Sequence, residues 1–310
     1  MKKINLLIGT FLTTVALSHA VDSYSDVVGY SKVNAASGTV LIVPGFVKAS
    51  RYSGSATISG QYLSATGLTA GALNTSNYND RPNYPTHYVE ITAGPYEGYS
   101  FDISSNTATQ ITAVGIPSAL NGQTISIVVR PHVTLDDLLA PGLADYTDAV
   151  NIINPDGSST TRFYASNSWI AEDFATPAGH TVIYPGSGYT LTSGGVTITT
   201  TGVVKPTKTA VPLYSAAVNY VGPMNPGGNS KVNNLGIAAV LAPYTDGFNV
   251  ASNDGNMQTT ATYFSDGAGI LDSGFSNLDP NATDSVSSNA GFTVSVSADG
   301  YWIMPSPLGN

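Results

Sequence analysis

Three histidines lie beyond the first twenty residues: His87, His132 and His180. An imidazole titrates near neutral pH, so each could move a proton or hold a metal. None has a metal-type spacing such as His-Glu-x-x-His. His87 opens an alternating segment beside Tyr88, and His132 follows Arg130-Pro131. Both places suit a structural, hydrogen-bonded histidine. A Ser-His-Asp triad assembles in space and needs no fixed order. The Gly-x-Ser-x-Gly elbow is nonetheless absent, because Gly186-Ser187-Gly188 is flanked by Pro185 and Tyr189. That step also lacks the Lys-Ser/Thr of a phosphate loop and reads as a turn into a strand at 189–192.

The carboxylates are equally unspecific. Asp136-Asp137 is the adjacent pair in a candidate helix. Thr134 can cap that helix, and negative charge in its first turn favours the dipole. A glycosidase needs two carboxylates across a cleft. Glu90, Glu97 and Glu172 are available, but no spacing singles out a pair. No catalytic, metal or cofactor motif is present. The tyrosines carry more information. Tyr78, Tyr84, Tyr88, Tyr96 and Tyr99 crowd one region of a chain that holds 18 Tyr. An exposed Tyr offers apolar area and a hydroxyl at low entropy cost, which suits a sugar ring or a protein contact. Tyr78, Tyr84 and Tyr96 fall in loops and are the candidate contact residues. Tyr99 aligns with Phe101 and Ile103 and belongs to a core face.

The elements that must position these groups are strands. The chain has 310 residues, of which only 10% are charged, with formal net charge −9. A nucleic-acid binder needs more positive charge. A disulfide scaffold or Cys-ligated zinc protein is excluded by the absence of cysteine. Hydrophobic residues reach 42%, too many for a disordered acidic tail. Seventeen of the 20 acidic residues are Asp. Asp bonds its own backbone and favours turns, whereas Glu favours helices. With 32 Gly and 18 Pro, the composition reads as many short strands joined by turns.

Residues 1–20 read as an exported leader. Lys2 and Lys3 precede an apolar run from Ile4 to Leu17, and Ser18-His19-Ala20 supplies small residues for cleavage after Ala20. The run is shorter than the roughly 20 residues of a spanning helix. The expected destination is the periplasm, the outer surface or the medium.

An internal repeat organises the rest. Tyr146-Thr147-Asp148-Ala149-Val150-Asn151-Ile152-Ile153-Asn154-Pro155-Asp156-Gly157 matches the segment beginning Tyr244-Thr245-Asp246-Gly247-Phe248-Asn249 and ending Asp254-Gly255, with six of twelve positions identical. Phe163-Tyr164 then matches Tyr263-Phe264, and Gly188-Tyr189-Thr190-Leu191 matches Gly291-Phe292-Thr293-Val294. Candidate short helices precede both, at 134–140 and 232–242. The Asp-Gly steps read as hairpin turns. A calcium role would need a spaced carboxylate series, which neither copy has. After Lys231 there is no Lys or Arg, yet seven Asp follow.

The expected organisation is therefore mainly β. A first β module (21–49 plus 131–212) carries an inserted small barrel or sandwich (50–130), and a related second module (213–310) follows. The insertion alternates with period two at 88–92 and 99–103, with further strands at 110–114 and 124–129. Residues 67–85 form a long polar excursion.

Val28-Gly29-Tyr30, Gly38-Thr39-Val40-Leu41-Ile42-Val43-Pro44, His87-Tyr88-Val89-Glu90-Ile91-Thr92-Ala93-Gly94-Pro95, Arg130-Pro131-His132-Val133-Thr134-Leu135 and Pro185-Gly186-Ser187-Gly188 together resemble a family of uncharacterised exported proteins of verrucomicrobial type. The resemblance implies secretion and a β-rich fold. It brings no activity and no site residues.

Four functional readings follow. The leading one is a non-enzymatic structural or adhesive envelope protein, partnered by its own copies or by envelope polysaccharide. The second is an extracellular carbohydrate-binding protein. The third is a secreted hydrolase, which would show a clustered His–carboxylate pair with a perturbed pKa in a pocket. A transmembrane barrel is the poorest, because the Gly/Pro-broken strands lack regular aromatic girdles.

Overall fold

The computed structural model describes residues 27–279, 284–287 and 290–308. The leader expected at 1–20 lies outside the described residues. The fold is mainly β, with two related tandem modules and a barrel inserted in the first.

The first module is built on a five-stranded antiparallel sheet in the order Ser168–Ile170, Ser159–Ala165, Ala149–Ile153, Tyr189–Ser193, Gly38–Ile42. The second has the equivalent order: Ile270–Leu271, Thr259–Ser265, Gly247–Ala251, Phe292–Ser295, Asn219–Val221. Each sheet has a long two-stranded ribbon beside it. Val28–Ala35 pairs with Val196–Val203, and Thr209–Leu213 pairs with Gly300–Met304. The second module thus opens ahead of residue 213. Register is equivalent too. Ala149 faces Phe163 and Val150 faces Arg162, while Gly247 faces Phe264 and Phe248 faces Tyr263. Phe163 therefore corresponds to Phe264, one residue away from the match of Phe163-Tyr164 with Tyr263-Phe264 expected from the sequence.

The sequence explains these strands by alternation. Along Val28–Ala35 the buried side chains are Ser31, Val33 and Ala35, every second residue. The Asp-Gly turns form as expected. Asp156 accepts from the Ser158 N–H and hydroxyl, and Asp254 from the Asn256 N–H and the Ser252 hydroxyl. Gly157 and Gly255 follow at φ +83° and +90°.

The candidate helices are only 3-10 turns, at Leu135–Leu138, Val232–Asn234 and Ile237–Ala239. Gly236 breaks the second stretch with φ +69°, and the first ends before Pro141. Thr134 stands at the N-cap of the first turn as expected and forms a reciprocal capping box with Asp137, whose carboxylate accepts from the Thr134 N–H and hydroxyl.

The two modules share their buried edges reciprocally. The Gly188 N–H in the first donates to the Tyr220 carbonyl in the second at 2.8 Å, and Ser187 bridges Val221. At the equivalent place, Ala290 in the second bridges Ile42 in the first. The hairpin tips cross as well. The Gly255 carbonyl accepts from the Thr39 N–H at 2.7 Å, and Gly157 lies against the Ala216 carbonyl. These contacts cover the two edges that meet at the seam, Gly38–Ile42 and Asn219–Val221.

The insertion is a closed six-stranded barrel, in the order Tyr52–Ser59, Tyr62–Ser64, Gln110–Ala113, Ser100–Asn106, His87–Ile91, Thr124–Pro131 and back to the first. Its own core includes Ile58, Leu63, Val89, Ile91, Ile103 and Ile127. In the second module the same connection spans only residues 222–229.

A buried ion cluster fastens the barrel to the linker between modules. Glu90 on the barrel is fully buried, with Lys205 Nζ at 2.8 Å and Arg130 Nε at 3.4 Å. The Thr207 hydroxyl also bonds Glu90, and Arg130 donates to the Lys48 carbonyl at 3.0 Å. Burial lowers the Lys205 pKa and the Glu90 charge opposes that. A buried charge is tolerable only with such partners.

Candidate functional site: the cleft between barrel and first module

The long excursion at 67–85 returns from the barrel to cover the first module. Asn106 secures it, its amide donating to the Thr69 carbonyl at 2.8 Å and accepting from the Leu73 N–H at 2.9 Å. Between the tip of this excursion and the 149–165 hairpin lies an open cleft of about 930 Å³. Its far wall comes from the second module, at Tyr214 and Tyr220.

Asp80 and His180 meet in the cleft. His180 Nε2 lies 2.9 Å from Asp80 Oδ1, and Arg162 reaches Asp80 Oδ2 at 3.8 Å. Tyr78 stacks on the His180 ring at 3.6 Å with planes 3° apart, and Tyr84 meets its edge at 5.2 Å. Burial lowers the His180 pKa, and the attraction of Asp80 does not offset it. A neutral imidazole donating to a carboxylate satisfies both sets of observations.

A second polar chain enters from the barrel. The Tyr184 hydroxyl donates to Asp102 Oδ2 at 2.7 Å, and His132 Nε2 lies 3.0 Å from Asp102 Oδ1. His132 is buried, and its Nδ1 and the nearby Tyr88 hydroxyl have no partner among the described residues. His87 lies close enough for His132 to act on it. Burial, then the charges of His132, Arg51 and Lys48, lower its pKa to about 4. The three histidines far apart in sequence therefore gather around one junction.

The three candidate tyrosines divide. Tyr78 is 36% exposed and stands over His180. Tyr84 is not an exposed loop residue: it is 8% exposed, and its hydroxyl accepts from the Val182 N–H at 2.9 Å. Burial raises its pKa. Its exposed neighbour is Arg81, whose guanidinium lies 5.4 Å from the Tyr84 ring centre and meets no carboxylate among the described residues. Tyr96 is half-buried elsewhere, against Tyr99. Tyr99 is itself half-buried, at the barrel rim against Tyr301. Sequence reasoning missed Asp80, Arg162 and His180 as a group. The polar and aromatic run from Asn77 to Arg81 was the one local sign, and their partners lie about a hundred residues on.

The acidic residues of the second module form no comparable site. Asp246 accepts from the Ala242 and Ser297 N–H groups, Asp272 from Gly274 and Ser276, and Asp299 from Ser215. Backbone N–H groups take the place that Lys and Arg would otherwise fill. Among the described residues no group of three or more His, Asp or Glu is placed to hold a metal.

No protein-family model matches the chain, and no curated protein or solved structure does either.

Proposed function

We propose that this is an exported, non-enzymatic adhesive protein of the cell envelope, and that it holds an extracellular polysaccharide in the cleft between barrel and first module. The carrying observation is the cleft itself: about 930 Å³, open, and lined by Tyr184, Tyr214 and Tyr220 together with Asn83 and Asn154. Ring faces beside amides and hydroxyls suit a sugar, which presents apolar C–H faces and polar edges. The leader and the resemblance to exported proteins support the location. Envelope localisation is tested by fractionating cells that carry the tagged protein.

Binding is tested on a broad glycan array with the chain from residue 21 onward. Tyr184→Ala and Tyr214→Ala should each weaken a positive signal at least about tenfold, by losing one stacking face. Silence across the array overturns the reading.

The His180–Asp80 pair favours hydrolysis as the second reading. Against it, Asp80 is shared with Arg162, and no Ser or Thr hydroxyl bonds to His180 among the described residues. New reducing ends released by the wild type and abolished by His180→Gln would establish it in place of simple binding.

A further inference from the structure

Each module carries the same row of three aromatic rings outside its core. In the first, Tyr146, Phe174 and Phe163 follow one another at 6.3 and 4.5 Å between centroids. In the second, Tyr244, Phe275 and Phe264 do so at 6.3 and 4.6 Å. The outer rings stand in solvent: Tyr146 is 57% exposed, Phe174 49%, Tyr244 62% and Phe275 50%.

All four outer residues have a left-handed backbone, at φ +59°, +58°, +56° and +61°. That conformation is unfavourable for a bulky side chain, and Gly or Asn would hold it at less cost. The backbone bonds that fix it recur as well. The Tyr146 and Tyr244 N–H groups donate to the Tyr164 and Ser265 carbonyls, both at 2.8 Å. The Phe174 and Phe275 N–H groups donate to Ala171 and Asp272, both at 3.0 Å. The cores beneath have meanwhile diverged, with Ile270 standing where the first module has Trp169. Strain and exposure kept at four equivalent positions, over unlike cores, point to a role outside the fold.

Charge around the rows is one-sided. Besides the buried Asp148 and Asp246, the segments 139–149 and 163–177 carry Asp145, Glu172 and Asp173, and 240–247 and 264–277 carry Asp266 and Asp272. None of the four segments contains Lys or Arg. Aromatic faces edged by carboxylates repel anionic polymers and attract positive groups. A row of successive faces suits a chain of flat rings better than the separate point charges of a basic peptide.

We propose that the two rows are equivalent binding sites for an amine-bearing polysaccharide, with sugar faces stacked on the rings and ammonium groups meeting the carboxylates. One chain then grips two segments of polymer. These sites go beyond the cleft and do not depend on it.

The test is titration of the full chain with a β-linked glucosamine trimer at low salt. Two trimers should bind per chain. Tyr146→Asn with Phe174→Asn should leave one, Tyr244→Asn with Phe275→Asn should leave one, and all four together none. Asn accepts the left-handed backbone, so these variants should keep their thermal midpoint. The N-acetylated trimer, which lacks the charge, should bind about tenfold more weakly, as should the amine form at about 0.5 M salt. Independently of any variant, the trimer should shift the ring resonances of Tyr146 and Tyr244 and leave those of Tyr220 in the cleft unmoved. Unchanged stoichiometry in the double variants overturns the proposal. So do equal affinity for the acetylated trimer, unmoved Tyr146 and Tyr244 resonances, or oligolysine binding in preference to the trimer.

Discussion

The two modules share a strand order and a register, yet equivalent positions do different work. Arg162 in the first occupies the place of Tyr263 in the second. Arg162 reaches out of its module to Asp80 on the inserted excursion. Tyr263 turns inward, stacks on Phe248 at 5.1 Å and donates to Asp284 in its own module. The first module has a barrel to bind and a cleft to line. The second has only residues 222–229 at that connection and fills the position with core. Even the two tryptophans show this. Trp169 and Trp302 stand in different strands, yet each donates its indole N–H to a leucine carbonyl of a helical turn, Leu135 at 2.9 Å and Leu235 at 2.7 Å. Topology and the outer aromatic rows are shared, while the aromatic filling of the core is not.

The comparison can be broken most sharply where only the first module has a partner. Lys205→Met leaves Glu90 buried with a poorer neighbourhood. It should cost about 3–5 kcal/mol in urea unfolding, with the loss concentrated in barrel docking. Next comes the core. Phe248→Ala should cost about 3–5 kcal/mol, and Val150→Ala at the equivalent site clearly less, because a smaller cavity is left. Equal losses would show that the second module does not depend on its heavier aromatic filling.

The reciprocal hairpin contacts give a symmetric pair of tests. A Cβ at Gly255 would collide with the Ser37 carbonyl, and one at Gly157 with the Ala216 carbonyl. Both glycines have positive φ, so Gly255→Ala and Gly157→Ala should each lose at least about 1–2 kcal/mol. A loss at one site alone would mean that the crossing is not shared equally. Arg162→Tyr, which puts the second module's residue in the first, should change stability by no more than about 1 kcal/mol. It should reduce glycan binding in the cleft by opening the Asp80–His180 arrangement.

The smallest expected effect is pH-dependent. The folded pKa of His87 lies near 4, below its ordinary value of 6.5, because burial and neighbouring positive charge disfavour the imidazolium. His180 is lowered in the same direction by burial. The unfolded chain then binds more protons as pH falls below about 6.5, so stability is full above that pH and declines toward pH 4. Thermal midpoints measured across this window should fall with acid, and His87→Gln should flatten part of the slope.

Much of the fold was legible because it is local. Alternation at 88–92 and 99–103, the two Asp-Gly hairpins and the paired Tyr-Thr-Asp segments each depend on residues a few positions apart. The candidate short helices form as 3-10 turns, because Gly236 and Pro141 keep them to single turns. The site was far less legible. Tyr84 looked exposed because it lies in a polar excursion, but Asn106 ties that excursion down and the Val182 N–H reaches the Tyr84 hydroxyl. Asp80 and His180 have no sequence relation that a spacing rule could find.

Sequence alone determined the class of fold, since scarce charge, Asp in place of Glu, and period-two patterning leave strands and turns as the way to bury 42% hydrophobic residues. It also determined the pairing of the two modules, through motifs that repeat in order. Only the tertiary structure decided what faces the cleft, which glycines meet a foreign carbonyl, and that two aromatic rows stand in solvent on strained backbone. Those features depend on segments far apart in the chain arriving at one place, and burial, pKa and exposure are properties of that place.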